Sequence, residues 1–445
     1  MARSIEREKE KVRIELKSFE QFLKELESDA FKADYFDRFR QIVVTINKAF
    51  KDSIEKRLAA FTTGPPLQET SIELDDLKSM IGAVYNLLYI TIFKNMTGIP
   101  REIYYFTDTF LENCSVSVNY VVCLGEQIQV TDFRWFLLSH QFDLKYPEFW
   151  ESIKDQRFYF VQFVRKLTDR NRSLDWPLLI HEMAHIVDMN KGIVSQTIAD
   201  TDYYKAYQVL RHRELYSDEH YQSAKKISRL GEYVADYLAT RYLAGAFVWR
   251  FLQEYLTIAR IFEEPKTHPD LDKRAEEMIE IIRDQLHLPE VSGIIERELL
   301  VWLKDAEKTR ATPHQREYSE LDQIFDNAQK VMLFAATKEA ITRALKNKLR
   351  GSLGNKLDKD LGEVLIALQK DFFNGRPIVA SPAVDFLIFM YRVGGTNEQT
   401  DPEKILSAAA KKFEMDQVQY EELMQELLAD CIKLNAVYER YSKNS

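Results

Sequence analysis

Hydrophobic and polar positions recur at helical spacing along most of the chain. The first example is a stripe near the N-terminus whose members follow one another at intervals of four and three residues, namely Val12, Leu16, Phe19, Leu23 and Leu26. This stripe covers about two heptads, whereas a coiled coil usually sustains about three or four. We therefore expect the helix to pack on its own domain, with a dimerising coiled coil as the alternative.

The period of the pattern changes to two between about residues 101 and 131. Residues 116–124 carry Val, Tyr or Leu at every second position, Gly125 and Glu126 follow, and residues 127–131 alternate again, which predicts a β-hairpin. Residues 101–107 are rich in Tyr and Phe and are candidates for a third strand. Residues 148–169 return to a helical pattern.

Residues that interrupt helices are scarce, with 14 Gly and 12 Pro in 445 residues. The predicted fold class is therefore mainly α with a small β-sheet, an α+β arrangement. The length favours two or three domains, and Pro265 and Pro269 end a long helical run. We predict an N-terminal helical region over residues 1–70, a central domain over 71–265 and a C-terminal helical domain over 266–445.

Composition argues against several functional classes. The chain carries 61 Lys and Arg against 70 Asp and Glu, a net charge of −9, so no nucleic-acid partner is expected. Cys114, Cys123 and Cys431 are odd in number and unpaired in spacing, which indicates buried thiols instead of disulfides or a thiolate zinc site. The N-terminal residues are charged, and no apolar run reaches the length of about 18 to 20 residues that spans a membrane. We expect a cytoplasmic protein without a membrane partner.

The sequence His-Glu-Met-Ala-His, which begins at His181, is an HExxH motif. On a helix, residues i and i+4 lie on one face, so His181 and His185 can offer two imidazole nitrogens to one metal ion, with Glu182 beside the attacking water. Pro177 suits a first helical turn, and Asp175 can help to cap it. The apolar neighbours indicate a buried helix, in which a divalent cation would satisfy all three polar side chains.

A catalytic zinc site needs a third protein ligand and keeps its fourth position for water. A third His six residues after His185 is absent, which excludes the metzincin arrangement. Asp188 lies on the same helix, where its short side chain would have difficulty completing a tetrahedron. Glu232 and Asp236 share a later helical face, so one carboxylate can reach the metal while the other accepts a ring N–H of a ligand histidine. A solvated helix face is the alternative explanation of these two acids.

Together, the HEMAH segment and the EYVAD segment that starts at Glu232 resemble the gluzincin zinc metallopeptidases, the thermolysin-like group in which HExxH is followed by ExxxD. The ExxAD form is most similar to the prenyl-protein and HtpX-type peptidases. The resemblance implies a zincin-like catalytic core in the central domain, flanked by helical regions. It also implies one Zn²⁺ held by His181, His185 and Glu232, with Glu182 as general base and Asp236 as an outer-shell partner.

The predicted function is hydrolysis of peptide bonds by water that zinc activates, with a peptide or protein as substrate and an endopeptidase as the expected type. The helical flanks are expected to restrict access or to recognise a regulatory protein partner. The alternative is a helical regulatory or scaffold protein whose zinc site is structural or catalytically idle. Residues 116–124 or 127–131 are candidates for a sheet edge that binds an extended peptide, or for an ordinary structural hairpin. Five side chains are candidates for the oxyanion donor, and none is assigned: His140, His212, His220, Tyr233 and Arg241.

Overall fold

The computed structural model of the chain describes a subset of its residues, which are 2–26, 34–60, 67–88, 99–125, 128–134, 147–155, 157–164, 175–199, 218–243, 245–255, 271–285 and 410–444, with the single residues 137, 144, 173 and 296. Most of these residues are helical, and three short strands form one sheet. The predicted fold class, mainly α with a small β-sheet, is confirmed. Within the described part of the chain, every helix is too short or too polar to cross a membrane.

The described chain divides into two compact units, of which the first contains residues 1–101 and 117–165. Its elements are α1 (Ala2–Leu26), α2 (Asp34–Ala60), α3 (Leu67–Tyr85), β1 (Asn119–Gly125), β2 (Gln129–Asp132), α5 (Pro147–Ile153) and β3 (Phe158–Val164). Val12 and Leu16 of the predicted apolar stripe lie in the core of this unit, where α1 packs against α2 and α3. The predicted packing of the first helix on its own domain is observed for these two side chains.

The sheet has the order β1-β3-β2, so the predicted hairpin is wrong. β1 pairs with β3 in parallel, from Asn119 opposite Phe158 to Gly125 opposite Val164. β2 pairs with β3 in an antiparallel manner. β3 reads Phe-Tyr-Phe-Val-Gln-Phe-Val, and its buried residues face both sides of the sheet, as expected for a central strand. The two alternating segments are therefore the outer strands on either side of a strand that the helical interpretation of residues 148–169 did not predict.

The predicted third strand over residues 101–107 is also wrong, because this segment begins helix α4 (Arg101–Asn113). Ile103, Phe106 and Phe110 are fully buried and recur at intervals of three and four residues, which is the helical period. Phe106 and Phe110 both contact the ring of Tyr242. The aromatic composition favours a strand, and burial of one helical face outweighs that preference.

The second unit contains residues 102–116 and 166–445. Besides α4, its elements are α6 (Pro177–Lys191), α7 (Ile193–Thr197), α8 (Asp218–Leu243), α9 (Gly245–Tyr255), α10 (Leu271–Glu280), a π-helical turn (Ile281–Gln285) and α11 (Gln417–Asn444). α8 packs along α6 and also contacts α9 and α10. Ala235 and Ala239 are fully buried and keep α8 narrow, as their small side chains predict.

The predicted division at residues 70 and 265 stays a prediction. Much of the predicted C-terminal domain, residues 286–409 apart from 296, lies outside the described residues. The described residues of that domain are helical in α10, in the π-helical turn and in α11. The predicted peptide-binding role of the alternating segments likewise stays a prediction.

Candidate metal centre

Helix α6 carries the HExxH motif and is buried along its first half. Pro177 occupies its first turn, where the missing backbone N–H leaves no hydrogen bond unmade. Trp176 is the N-cap residue of α6 and makes no side-chain capping bond, so the capping role of Asp175 stays a prediction. The Asp175 carboxylate pairs with the Arg250 side chain of α9, at 2.5 Å from Nε. This ion pair ties the start of α6 to α9.

The structure brings His181, His185 and Glu232 together. His181 Nε2 lies 3.2 Å from Glu232 Oε2, and His185 Nε2 lies 3.4 Å from Glu232 Oε1. One ligand atom from each of the three residues lies within 4.8 Å of the other two. The one-turn spacing of the two histidines on α6 and the close packing of α8 produce this arrangement.

These three side chains fit a zinc ion. Bonds of about 2.0 to 2.2 Å to nitrogen and oxygen place neighbouring ligand atoms of a tetrahedron about 3.3 to 3.6 Å apart. The imidazole-to-carboxylate distances are of this order, at 3.2 Å to Oε2 and 3.4 Å to Oε1 of Glu232, and they involve both oxygens of the carboxylate. Two imidazoles and one carboxylate also form a donor set of zinc hydrolases.

Asp236 lies on the other side of the His181 ring. Its Oδ1 is 3.0 Å from His181 Nδ1, so the two ring nitrogens of His181 face two different carboxylates of α8. The ring also stacks on Phe247 of α9, with centroids 6.0 Å apart and planes 10° apart. Asp236 is therefore placed where an outer-shell partner of a ligand histidine is predicted.

Arg274 of α10 is part of the cluster, and it is not among the residues predicted from the sequence. Its Nε and Nη2 donate to Asp236 at 2.6 and 2.8 Å, and Nη2 also lies 3.2 Å from Glu232 Oε2. No spacing rule connects an arginine to a glutamate 42 positions earlier, and residue 274 falls beyond the predicted end of the central domain. Only the packing of α10 on α8 brings it to the site.

The electrostatics of the cluster favour charged partners in the absence of a metal. Burial acts to lower the pKa of His181, but the Asp236 and Glu232 carboxylates outweigh it and raise that pKa to about 10. Burial likewise acts to lower the pKa of His185, but Glu232 outweighs this effect, so the pKa of His185 is raised. Burial also opposes ionisation of Glu232, yet the two imidazoles and Arg274 hold its pKa well below the usual range.

Glu182 differs from the other acids of the site. It follows the first histidine on α6 and is only 7% exposed. Burial raises the pKa of its carboxyl, and the positive charges of His181 and His185 act in the opposite direction. A carboxylate with a raised pKa is a better proton acceptor near neutral pH than an ordinary glutamate.

Asp188 has a structural role at the end of α6. Gly192 ends the helix with a φ of +66°, and the Asp188 carboxylate then accepts the backbone N–H of Val194 at 2.7 Å. Burial raises its pKa to about 6. Among the described residues, the cluster that could hold a metal ion contains Glu232 as its carboxylate and does not contain Asp188.

The candidate oxyanion donors remain unassigned. Tyr233 and Arg241 are buried side chains of α8. His140, His212 and the side chain of His220 lie outside the described residues.

No protein-family model, curated protein or solved structure matches this chain.

Proposed function

We propose that the protein is a zinc-dependent peptidase. The observation that carries the proposal is the convergence of His181 and His185 from α6 with Glu232 from α8. These residues come from two sequence motifs that 46 intervening residues separate. Their meeting at 3.2 and 3.4 Å supports the gluzincin resemblance at the level of the ligand set.

A hydrolytic site is favoured over a structural zinc site by the number of ligands. Structural zinc sites are closed by four protein ligands, whereas catalytic sites use three and keep one position open. Among the described residues, the cluster offers three ligands. The Glu182 carboxylate next to them is the fourth functional group that water activation needs.

Each residue of the site has a distinct task in this proposal. His181, His185 and Glu232 hold the ion, and Asp236 fixes the His181 ring. Zinc, when bound, would polarise the scissile carbonyl and lower the pKa of a water molecule to about 7. Glu182 takes the proton of the attacking water and then passes it to the leaving amine.

The test combines metal analysis with peptide cleavage. Purified full-length protein should contain about one zinc per chain, and His181→Ala should lose it. Glu182→Gln should keep the zinc and lower cleavage of a fluorogenic peptide library by at least about 100-fold, because general-base catalysis contributes about 100- to 10,000-fold. Glu102→Gln is the matched control, since Glu102 is equally buried at 7% exposure in the same unit. It should change neither property.

Two results would count against the proposal. Absence of zinc under zinc-replete conditions would reject a zinc site of any kind. Zinc-loaded protein that cleaves no member of the library would reject the peptidase and favour a helical scaffold with an idle zinc site.

A further inference from the structure

Arg274 reaches both carboxylates of the candidate metal centre from α10. Its two donated bonds to Asp236 measure 2.6 and 2.8 Å, and its Nη2 lies 3.2 Å from Glu232 Oε2. The side chain is 5% exposed, and its guanidinium lies over the Phe251 ring, 4.8 Å from the centroid. A buried, planar guanidinium that donates two hydrogen bonds to one carboxylate holds that carboxylate in a fixed orientation.

We propose that Arg274 is a positioning residue of the metal centre, which fixes Asp236 against His181 and holds one oxygen of Glu232 so that the metal ion takes the other. This inference rests on the proposed zinc site, and it adds a third helix, α10, to the two that supply the predicted residues.

Arg274 influences the tautomer of His181 through Asp236. Arg274 bonds both oxygens of Asp236, which prevents that carboxylate from turning. Asp236 Oδ1 is then held 3.0 Å from His181 Nδ1. In a neutral imidazole, a proton held at Nδ1 leaves the lone pair at Nε2, which is the nitrogen that faces Glu232 and the metal position.

Arg274 also influences how Glu232 binds. Glu232 Oε2 lies 3.2 Å from both Arg274 Nη2 and His181 Nε2, whereas Oε1 lies 3.4 Å from His185 Nε2. A carboxylate with one oxygen engaged by a guanidinium offers the other oxygen to a metal ion. Binding through one oxygen keeps the fourth position of a tetrahedral ion available for water.

Arg274 also offsets the negative charge of the two carboxylates. Glu232 and Asp236 are four residues apart on α8 and carry two negative charges on one buried helical face, where like charges repel. Arg274 lies between them and cancels one of those charges. Removing one member of such a buried group leaves an uncompensated charge, so the geometry of the remaining members changes as well.

The experiment measures metal binding by the full-length protein after removal of metal with a chelator. Zn²⁺ and Co²⁺ are added separately, and affinity is measured by competition with a chelator of known strength. Arg274→Gln should weaken zinc binding by about 10- to 100-fold, which is the usual effect of losing an outer-shell partner. Arg274→Lys should weaken it too, because an ammonium cannot bond both oxygens of Asp236 and reach Glu232.

The matched control is Arg250→Gln. Arg250 pairs with Asp175 and Glu254 in the same unit, with a side chain that is 12% exposed, so its loss also removes a largely buried ion pair. Zinc affinity should stay at the wild-type value in this variant. A loss as large as that of the Arg274 variants would show a general effect of stability and overturn the inference.

The Co²⁺ spectrum supplies a readout that a purely structural role would leave unchanged. Wild-type protein should give the intense visible bands of four-coordinate cobalt. In Arg274→Gln, Glu232 is free to bind through both oxygens, which raises the coordination number and weakens the bands. Wild-type affinity and an unchanged spectrum in this variant would overturn the inference.

A double variant tests whether Arg274 acts through Asp236. Asp236→Asn combined with Arg274→Gln should lose less zinc affinity than the two single losses multiplied together, because both single variants remove the same Arg274–Asp236 contact. Losses that multiply in full would overturn the inference that Arg274 acts through Asp236. If Arg274→Gln does not fold, Arg274→Lys replaces it in every arm. Failure of wild-type protein to bind zinc would instead reject the proposed site itself.

Discussion

In the proposed zinc site, protons and zinc would compete for the same imidazole nitrogens, and this competition predicts a measurable pH dependence of zinc binding. In the metal-free protein, the Asp236 and Glu232 carboxylates outweigh burial and raise the pKa of His181 to about 10, and Glu232 raises that of His185. Zinc binds neutral imidazole, so it must displace these protons. The perturbation is therefore a change of pH between about 6 and 8.5, which brackets the ordinary histidine pKa of about 6.5.

The magnitude follows from the raised pKa. Removing the proton of His181 at pH 7 costs on the order of 4 kcal/mol, at about 1.4 kcal/mol per pH unit below a pKa of about 10. Because the pKa is raised, the protonated ring stabilises the metal-free fold fully below about pH 6.5, and this contribution is lost as the pH rises through about 10. Zinc affinity should accordingly rise by about one to two powers of ten per pH unit, for one or two displaced protons.

The assay is competition with a chelator whose own pH dependence is known, at constant ionic strength. The distinctive result lies above pH 7, where ordinary histidines with a pKa of about 6.5 would already have lost their protons. We expect the affinity to keep rising there. An affinity that is constant above pH 7 would contradict the carboxylate contacts of His181. Asp236→Asn removes one of the groups that raise this pKa, so its curve should flatten at a lower pH than that of the wild type.

Three further variants test the surroundings of the site. Asp188→Ala should lower the free energy of unfolding by about 1 kcal/mol in urea denaturation, through loss of the cap on Val194, and should keep one zinc; loss of zinc would make Asp188 the ligand. Gly192→Ala should lower the free energy of unfolding by at least about 1 kcal/mol, because φ is +66° and the new Cβ would lie 2.8 Å from Ser195 Oγ. Phe247→Ala should lower the free energy of unfolding by about 3 to 5 kcal/mol, because the ring is fully buried. It should also weaken zinc binding, because the ring stacks on His181, and unchanged zinc affinity would contradict this second effect.

The residues of the candidate ligand cluster could be selected from the sequence because their pattern is local. His181 and His185 are one helical turn apart, and Glu232 and Asp236 repeat that spacing on a second helix. Their meeting follows from the chemistry of burial, because apolar helices carry polar groups inward only when those groups have partners. Arg274 has no such local pattern, since its role depends on the packing of α10 against α8.

The sheet shows a different limit of sequence reasoning. The period of two correctly indicated strands at β1 and β2. In β1 the consecutive residues 120–123 are buried, so this strand is covered on both faces. The continuous apolar residues of Phe158–Val164 fit either a buried helix or a buried strand, and periodicity does not separate the two. The order of strands in a sheet depends on contacts between residues that are far apart in sequence. The local pattern therefore could not predict that β3 lies between β1 and β2, which are neighbours in sequence.

A crystal structure of zinc-loaded protein, with anomalous diffraction recorded on both sides of the zinc absorption edge, addresses the metal centre itself. We predict one anomalous peak per chain, within about 2.0 to 2.2 Å of His181 Nε2, His185 Nε2 and a Glu232 oxygen. A peak bound elsewhere, or no peak while Glu232 keeps its contacts with the two imidazoles, would contradict a zinc hydrolase.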